Sequence, residues 1–291
     1  MLPGMAGKPR IAIVGTGSLG SALAVSLSQA GYTIDSVIAR SQGASLRKAQ
    51  GLAKKVGART AVVSTATGRA NLFWFCVPDA EIRGAAAAIV EQFPWKGRVA
   101  LHSSGALTSD ELSALRERGA AVASVHPLMT FVRGSRPALT GVSFAIEGDA
   151  AAVRVARRIV KDLGGQAYPI RKADKAAYHA WGTFASPLLT ALLATTEQVG
   201  MTAGVNRTAV RRRVIPILLQ TLANYAALGA PSAFSGPIVR GDIDTVKRHL
   251  RVLRKVPAAH EVYSALARAA LTYLPVKRKE LVKRLLEARD V

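Results

Sequence analysis

Three glycines, Gly15-x-Gly17-x-x-Gly20, stand where the chain passes from a strand pattern to a helix pattern. The run Ile11–Val14 before them has the length and β-branched character of a strand, and residues 21–30 have a helical period. In this context Gly15 permits a tight turn, Gly17 lets the backbone approach a pyrophosphate, and Gly20 lets the helix pack on the strand. The alternative is a turn that starts a helix and binds nothing. The predicted dinucleotide contacts are Gly15, Thr16, Gly17, Ser18, Leu19 and Gly20.

The residues after the second predicted strand indicate which dinucleotide binds. That strand covers Ile34–Ala39, and Arg40-Ser41 follow where an NAD site carries Asp or Glu for the ribose hydroxyls. A carboxylate there would repel a 2′-phosphate, whereas a guanidinium pairs with it through two hydrogen bonds and a serine hydroxyl donates another. The sequence therefore predicts NADP as the cofactor, with Arg40 and Ser41 at its 2′-phosphate. Arg47 and Lys48 would add positive potential, although we favour a solvated helix face for both.

A further apolar strand, residues 72–77, is stopped by Pro78-Asp79. In an open parallel sheet, ligands lie beyond the carboxyl ends of the strands. We therefore expect Val77, Pro78 and Asp79 to border the nicotinamide half of the cofactor. For Asp79 the alternative is the N-cap of the next helix, and the two roles are compatible.

Two more predicted strands each deliver a histidine to the same edge of the sheet. His102-Ser103-Ser104 end one strand, and His126 follows the next. A lone histidine is usually structural, but two at successive carboxyl ends are placed to line one site. We predict His102 and Ser103 as catalytic candidates and Ser104 and His126 as substrate contacts. The alternative is a pair of structural histidines.

Lys175 and His179 are spaced i, i+4 at the start of a predicted helix, so they lie on one face of it. Hydride transfer to a carbonyl or imine needs an acid that protonates the developing oxygen or nitrogen. The pair is therefore predicted to be catalytic, with Lys175 and His102 as the two candidates for the proton donor. The alternative is a surface lysine and a histidine packed between domains.

Arg240 and Asp242 lie on either side of Gly241, just ahead of another predicted helix. The glycine allows close backbone approach, and a guanidinium can grip a carboxylate or a phosphate. We predict a substrate-binding role for both side chains. The alternative is that Asp242 or Asp244 caps the helix and that Arg240 pairs with it.

The order of the predicted elements favours two domains. Strands and helices alternate up to two closing strands at residues 142–146 and 167–170, a pattern typical of the α/β Rossmann fold with a doubly wound parallel sheet. The pattern then becomes all helical, with a long helix bent at Pro187 and another interrupted at Pro216. The predicted domains are an NADP-binding domain, residues 1–170, and an all-α substrate and dimerisation domain, residues 171–291.

Charge and composition narrow the class of protein. The 291 residues carry a formal net charge of +22, which is compatible with nucleic-acid binding. The basic residues are spread over several predicted helices, however, without an aromatic platform, a zinc finger or a helix-turn-helix motif. We therefore expect solvated basic faces that attract an anionic cofactor and substrate, and no nucleic-acid partner.

The cysteine content and the lengths of the apolar runs indicate the cellular compartment of the protein. The single cysteine, Cys76, excludes an internal disulfide and fits a reducing cytoplasm. No His/Cys cluster has zinc-ligand spacing, so we expect no metal. Residues 1–8 lack an apolar signal core, and no uninterrupted apolar run reaches the roughly 18 residues of a membrane helix. We expect a cytoplasmic protein without a membrane partner.

Four motifs together resemble a known family. They are Gly15-x-Gly17-x-x-Gly20, His102-Ser-Ser-Gly-Ala106, Ser124-Val-His-Pro-Leu128 and Gly236-Pro-Ile-Val-Arg-Gly-Asp242. From about Arg10 to about Leu274 the chain resembles the Rossmann-like proteins whose C-terminal half is the domain of unknown function 2520. The resemblance implies a nucleotide-binding domain and a helical domain similar to those of 6-phosphogluconate dehydrogenase, pyrroline-5-carboxylate reductase and ketopantoate reductase. It supplies no substrate.

Lys175 and His179 also resemble the Lys-x-x-x-Asn pair of the β-hydroxyacid dehydrogenases. In that pair the lysine donates the proton and the asparagine orients the substrate. His179 departs from the pattern because it stands in place of the asparagine.

The leading hypothesis is an NADP-dependent oxidoreductase. Its substrate would be a small anionic carbonyl, imine or alcohol, bound in a cleft between the two domains. The alternative is a nucleotide-sensing or nucleic-acid-associated Rossmann protein without turnover, which the net charge and the missing asparagine favour. A third hypothesis is a homodimer formed by the helical domain, in which the cofactor is only structural. A homodimer is the expected oligomer.

Overall fold

Eight strands form a single sheet in the first part of the chain. The computed structural model describes residues 7–135 and 137–288. Most of residues 1–8, in which we expect no apolar signal core, therefore lies outside the described residues. The strands are β1 Ile11–Val14, β2 Ile34–Ala39, β3 Arg59–Val62, β4 Leu72–Phe75, β5 Val99–His102, β6 Ala121–Pro127, β7 Ser143–Gly148 and β8 Gln166–Pro169. Their order across the sheet is β3-β2-β1-β4-β5-β6-β7-β8.

The first six strands are parallel, and the two closing strands run the other way. β7 pairs with β6 in antiparallel fashion, and β8 pairs with β7 in parallel fashion. A parallel return needs a long crossover, usually a helix. Between β6 and β7, residues 128–135 and 137–142 contain no helix, so the chain turns back antiparallel. The predicted parallel sheet is therefore confirmed in its main part and reversed at one edge.

Helices cover both faces of the sheet, as the doubly wound fold requires. The helices of the first unit are α1 Ser18–Gln29, α2 Ala44–Val56, α3 Ile82–Ile89, α4 Ser113–Glu117, α5 Ala150–Asp162 and α6 Lys175–Thr183. Buried residues of α1, α2 and α5 pack with Trp74 on one face, and those of α3 and α4 pack with Phe73 and Phe75 on the other. Because both faces are covered, β1, β2, β4 and β5 are buried along their whole length, and this burial explains the uninterrupted apolar runs of β1 and β4.

The turn between β1 and α1 packs tightly against the end of β4. A Cβ at Gly15, where φ is 102°, would lie 2.6 Å from the Cys76 carbonyl oxygen. At Gly20 it would overlap the Gly15 carbonyl oxygen and lie 3.0 Å from the Cys76 Cβ. At Gly17 the nearest atom, the Cys76 carbonyl oxygen, would be 3.9 Å away, an ordinary contact. The fold itself therefore requires Gly15 and Gly20 but not Gly17.

The chain divides into two compact units at Phe184/Ala185, which places α6 in the first unit. Helices of the second unit are α7 Leu189–Thr202, α8 Arg207–Ala233, α9 Pro237–Arg240, α10 Ile243–Leu253, α11 Pro257–Tyr273 and α12 Lys279–Glu287. Pro187 lies in a π-helical turn, Phe184–Leu188, between α6 and α7, where the bend was predicted. The predicted interruption of α8 at Pro216 is wrong, because the backbone leaves the helical region at Gly229 (φ 73°, ψ 166°) instead.

One described segment has the length and composition of a membrane-spanning helix. It is Arg207–Arg240, and none of its apolar window is buried in the structure. The segment contains the non-helical residue Gly229 as well as Pro216 and Pro231.

The glycine contacts predict opposite outcomes for two alanine variants. Gly20→Ala should lower the free energy of unfolding by about 1–3 kcal/mol, because the new methyl group overlaps the Gly15 carbonyl. Gly17→Ala should stay within about 0.5 kcal/mol of the wild type, because its methyl group has room. Urea denaturation of both variants checks this, and equal losses of stability would contradict it.

Candidate functional site

A cleft of about 740 Å³ opens above the β1–α1 turn, beside the carboxyl ends of β1 and β4. Here the strand order reverses, since β2 lies on one side of β1 and β4 on the other. Open α/β sheets bind ligands at such a switch point. The predicted cofactor residues that line the cleft are Gly15, Thr16, Gly17, Arg40, Val77 and Pro78. The others, Ser18, Leu19, Gly20, Ser41 and Asp79, do not line it.

The amino end of α1 suits an anionic group. Gly17 is its N-cap, no side chain caps it, and its first turn contains no acidic residue. The first N–H groups of a helix lack partners within the helix and attract anions, phosphates among them. The open space at Gly17 and the volume of the cleft fit a dinucleotide diphosphate at this place.

Charged side chains stand at one wall of the cleft. Arg40 follows β2 directly, and Ser45 and Lys48 of α2 line the same cleft. Lys48 is exposed, as expected, but it also lines this cleft. Its i, i+3 spacing from Ser45 places both residues on one face of α2, and this spacing could have indicated its position. Arg40 Nη1 pairs with Glu81 Oε1 at 2.7 Å, a partner that sequence reasoning missed.

A second group of polar side chains surrounds Lys175, also in the first unit. Lys175 is fully buried, and its Nζ donates hydrogen bonds to Ser124 Oγ at 2.7 Å and to the Ser104 carbonyl oxygen at 3.0 Å. Ser124 Oγ donates in turn to the same carbonyl at 3.2 Å. Burial lowers the pKa of Lys175 from 10.5 to about 8, although the charges of Glu147 and Asp79 oppose the shift.

His102 and Ser103 are held by hydrogen bonds inside the fold. His102 is fully buried, and its Nδ1 accepts a hydrogen bond from the Ser104 N–H at 3.1 Å. Its proton therefore lies on Nε2, which donates to the Thr108 carbonyl oxygen at 2.9 Å. Burial lowers the pKa of His102 to about 4, so the ring is neutral. Ser103 Oγ accepts a hydrogen bond from Trp74 Nε1 at 2.8 Å. This geometry favours structural roles for both residues over their predicted catalytic roles.

Ser104 connects the loop after β5 to Asp79. Its hydroxyl donates to Asp79 Oδ2 at 2.7 Å and accepts from the Leu107 N–H at 2.9 Å. Asp79 does not cap α3, whose N-cap is Glu81 without a side-chain bond. The alternative role of Asp79 as the N-cap of this helix is therefore wrong. The Asp79 carboxylate instead holds the loop that contains Ser104.

His126 and His179 meet beside Gly105. Their rings pack edge to face with centroids 6.0 Å apart, and His126 Nδ1 lies 2.7 Å from the Tyr178 hydroxyl. Burial is the main cause that lowers the pKa of His126 to about 4, and the positive charge of Lys175 adds to it. A Cβ on Gly105 would lie 2.6 Å from His179 and 2.9 Å from His126, so only glycine fits there without a shift. His179 itself is exposed.

The structure thus brings several predicted site residues together in one unit. These are Lys175, His179, His126, Ser104 and, through its hydrogen bond, Asp79. Sequence reasoning did not identify Ser124 as a member of this group. Ser124 ends a stretch predicted as a strand, and its position across from the β5 end was the signal that could have found it.

Arg240 and Asp242 belong to the second unit. Asp242 caps α10, since its Oδ1 accepts from the Thr245 N–H at 3.1 Å and its Oδ2 from the Thr245 hydroxyl at 2.8 Å. These bonds lower the pKa of Asp242. Arg240 is the exposed last residue of α9. The capping alternative therefore accounts for Asp242, and the predicted substrate role of both residues stays a prediction.

Family models match both parts of the chain. The model of the Rossmann-like domain matches residues 5–127, and that of the domain of unknown function DUF2520 matches residues 142–270. The chain is a Rossmann-like protein with a C-terminal DUF2520 domain. No curated protein sequence is similar enough to this DUF2520 protein to count as a relative.

Solved structures share the fold of this DUF2520 protein over nearly its whole length. A Bacteroides fragilis protein, provisionally named an NADP oxidoreductase, has a TM-score of 0.76 at 20% identity and covers 90% of this chain and 97% of its own. An Aspergillus terreus reductive aminase, solved with NADPH and ethyl-5-oxohexanoate, has a TM-score of 0.64 at 16% identity, with coverages of 96% and 99%. A Coxiella burnetii pyrroline-5-carboxylate reductase has a TM-score of 0.58 at 14% identity, with coverages of 97% and 98%.

The buried ammonium of Lys175 predicts a particular pH dependence of stability. The native state loses this proton near pH 8, whereas the unfolded state keeps it up to about 10.5, so the unfolded state binds more protons between these values. Compared with Lys175→Met, the wild type should therefore gain about 2 kcal/mol of unfolding free energy between pH 7.5 and pH 10. Urea denaturation of both proteins at pH 7.5 and pH 10 measures the difference. Parallel pH profiles would show that Lys175 is not desolvated.

Proposed function

We propose that this protein is an NADP-dependent oxidoreductase that transfers a hydride between NADPH and a small anionic carbonyl, imine or alcohol. The observation that carries the proposal is the cleft above the β1–α1 turn, which combines a free helix amino end with Arg40, Ser45 and Lys48. The diphosphate would lie at Gly17, and the 2′-phosphate would lie at the two cations.

The structurally similar proteins support the same chemistry. The reductive aminase was solved with NADPH, and the Bacteroides protein carries the provisional name of an NADP oxidoreductase. The structural similarity covers at least 90% of this chain and at least 97% of each of the two similar proteins. The proposal therefore concerns the whole molecule and not the first domain only.

The bound NADPH would supply the hydride, and this chain would supply the proton and the positioning. We assign the proton to His179, which is exposed beside His126, whereas Lys175 and His102 are buried with their nitrogens in hydrogen bonds. Lys175 fixes the loop after β5 through the Ser104 carbonyl. The Lys175 ammonium donates its hydrogen bonds to two neutral oxygens, so these partners do not neutralise its positive charge. That charge favours an anionic substrate nearby.

A second candidate is a nucleotide-binding protein without turnover. The complete burial of Lys175, the lysine of the Lys-x-x-x-Asn resemblance, favours this candidate, because a buried ammonium cannot contact a substrate without a rearrangement. Such a protein would bind NADPH but would not oxidise it with any 2-oxo acid, cyclic imine or amine-carbonyl mixture.

We further propose that the protein is a homodimer formed through α8. No residue of 211–233 is buried, although this segment includes large apolar side chains such as Ile217, Leu222 and Tyr225, which are 66%, 56% and 60% exposed. Apolar surface of this extent usually marks an interface. A second copy of the chain would cover it without requiring another partner.

We also propose a cytoplasmic location. The single thiol, Cys76, is free and buried in the cleft wall, so the protein needs no oxidising compartment to fold.

NADPH affinity tests the proposal through Gly17→Ala, the variant expected to leave the free energy of unfolding nearly unchanged. Its methyl group would occupy space that only a ligand needs, so NADPH affinity should fall at least about tenfold. NADPH fluorescence titration of the wild type and the variant measures this, and substrate-dependent NADPH oxidation decides between the two candidates. Absence of NADPH binding by the wild type would refute both.

The dimer proposal predicts a change of mass for Leu222→Arg. A charge in the centre of the apolar α8 surface should convert the dimer to a monomer, because a buried unpaired guanidinium costs several kcal/mol. Light scattering after gel filtration measures the mass. Leu281→Arg on α12, where the leucine is 48% exposed, is the matched control and should remain dimeric. A monomeric wild type, or one that sediments with lipid vesicles, would contradict the proposal.

A further inference from the structure

The ion pair between Arg40 and Glu81 joins two walls of the cleft. Arg40 follows β2, and Glu81 ends the short turn Asp79–Glu81 after β4, so the two residues come from opposite sides of β1. Their side chains meet at 2.7 Å, and both line the cleft. The guanidinium proposed to hold the 2′-phosphate is therefore already paired with a carboxylate of the same chain.

Helix stabilisation explains only part of this arrangement. Glu81 is the N-cap residue of α3, and an acidic side chain near a helix amino end is favourable. That effect needs a carboxylate at the start of α3, but it does not need one directed across the cleft at Arg40. The pairing therefore has a consequence for whatever binds in the cleft.

The charges that line the cleft respond differently to the two nicotinamide coenzymes. Arg40 and Lys48 are positive and Glu81 is negative. A phosphate monoester carries a charge of about −1.5 to −2 near neutral pH. The 2′-phosphate of NADPH therefore competes with the Glu81 carboxylate for Arg40, and the two negative groups repel each other. NADH presents a 2′-hydroxyl instead, and a hydroxyl can donate a hydrogen bond to a carboxylate.

We propose that Glu81 is a specificity-determining residue that lowers the preference of this cleft for NADPH over NADH. The inference rests on the proposed function, because it concerns the same cofactor site. Glu81 acts on the 2′-position alone, so it changes the ratio of the two affinities. A residue that merely shapes the cleft would change both affinities alike.

The exposure of the pair sets the size of the expected effect. The side chains of Arg40 and Glu81 are 72% and 39% exposed, so water and salt screen their charges. Exposed charge interactions correspond to modest free energies, and removal of one carboxylate charge should raise the NADPH/NADH preference about threefold to tenfold. The increase should shrink at high ionic strength, because the effect is electrostatic.

The experiment compares Glu81→Gln with a matched control in the full-length protein. Glu91→Gln is the control, because Glu91 also forms an exposed ion pair, with Arg118, but does not line the cleft. Dissociation constants of NADPH and NADH are measured by fluorescence titration at low and high salt, and thermal unfolding checks the fold. Glu81→Ala serves as a second variant with the same loss of charge.

Each outcome has a defined meaning. A preference that rises for Glu81→Gln and Glu81→Ala, but not for Glu91→Gln, supports the inference. If the wild type binds NADPH and neither Glu81 variant changes the preference, the inference is overturned and the proposed function stands. A wild type that binds neither coenzyme overturns both.

Discussion

The close packing of the β1–α1 turn against the carbonyl group of Cys76 is the constraint on which the site depends. Gly15 and Gly20 leave no room for a Cβ, so β1, α1 and the end of β4 approach each other more closely than side chains would allow. That approach aims the amino end of α1 at the cleft and places Val77 and Pro78 along the opposite wall. The local backbone geometry therefore creates the anion-binding end and the cleft at the same time.

Hydrogen bonds to neutral groups organise the second cluster of the first unit. Lys175 donates to one hydroxyl and one carbonyl, and the buried histidine His102 is neutral between a backbone N–H and a carbonyl. Such bonds hold the loop after β5 in one conformation without a carboxylate in direct contact with the ammonium. The exposed His179 then lies beside this framework, with its ring packed edge to face against His126.

The regular elements of the first unit were predictable because burial on both faces produces unmistakable apolar runs. β1 and β2 have the predicted limits, and the glycine turn has the predicted context. The reversal of β7 was not predictable from its own residues, since direction depends on the absence of a crossover helix before it. The break at Gly229 rather than Pro216 depends on local backbone angles that proline alone does not determine.

Side-chain partners were harder to predict than strand ends. The spacing of Lys175 and His179 correctly indicated one region, but it could not show that the lysine would be buried against Ser124 while the histidine stays exposed. The residues that meet Lys175 lie some fifty or seventy positions away in sequence. Likewise, Arg40 was recognisable from its place after β2, whereas its pairing with Glu81 requires knowledge of two loops at once.

The only cysteine of the chain offers a practical advantage for biophysical work. Burial raises the pKa of the Cys76 thiol, and thiolates rather than thiols react with maleimides and other alkylating agents. A cysteine introduced on the surface of either unit should therefore react selectively with a fluorophore or spin label. Distances between the two units could then be measured in solution without first removing the native thiol.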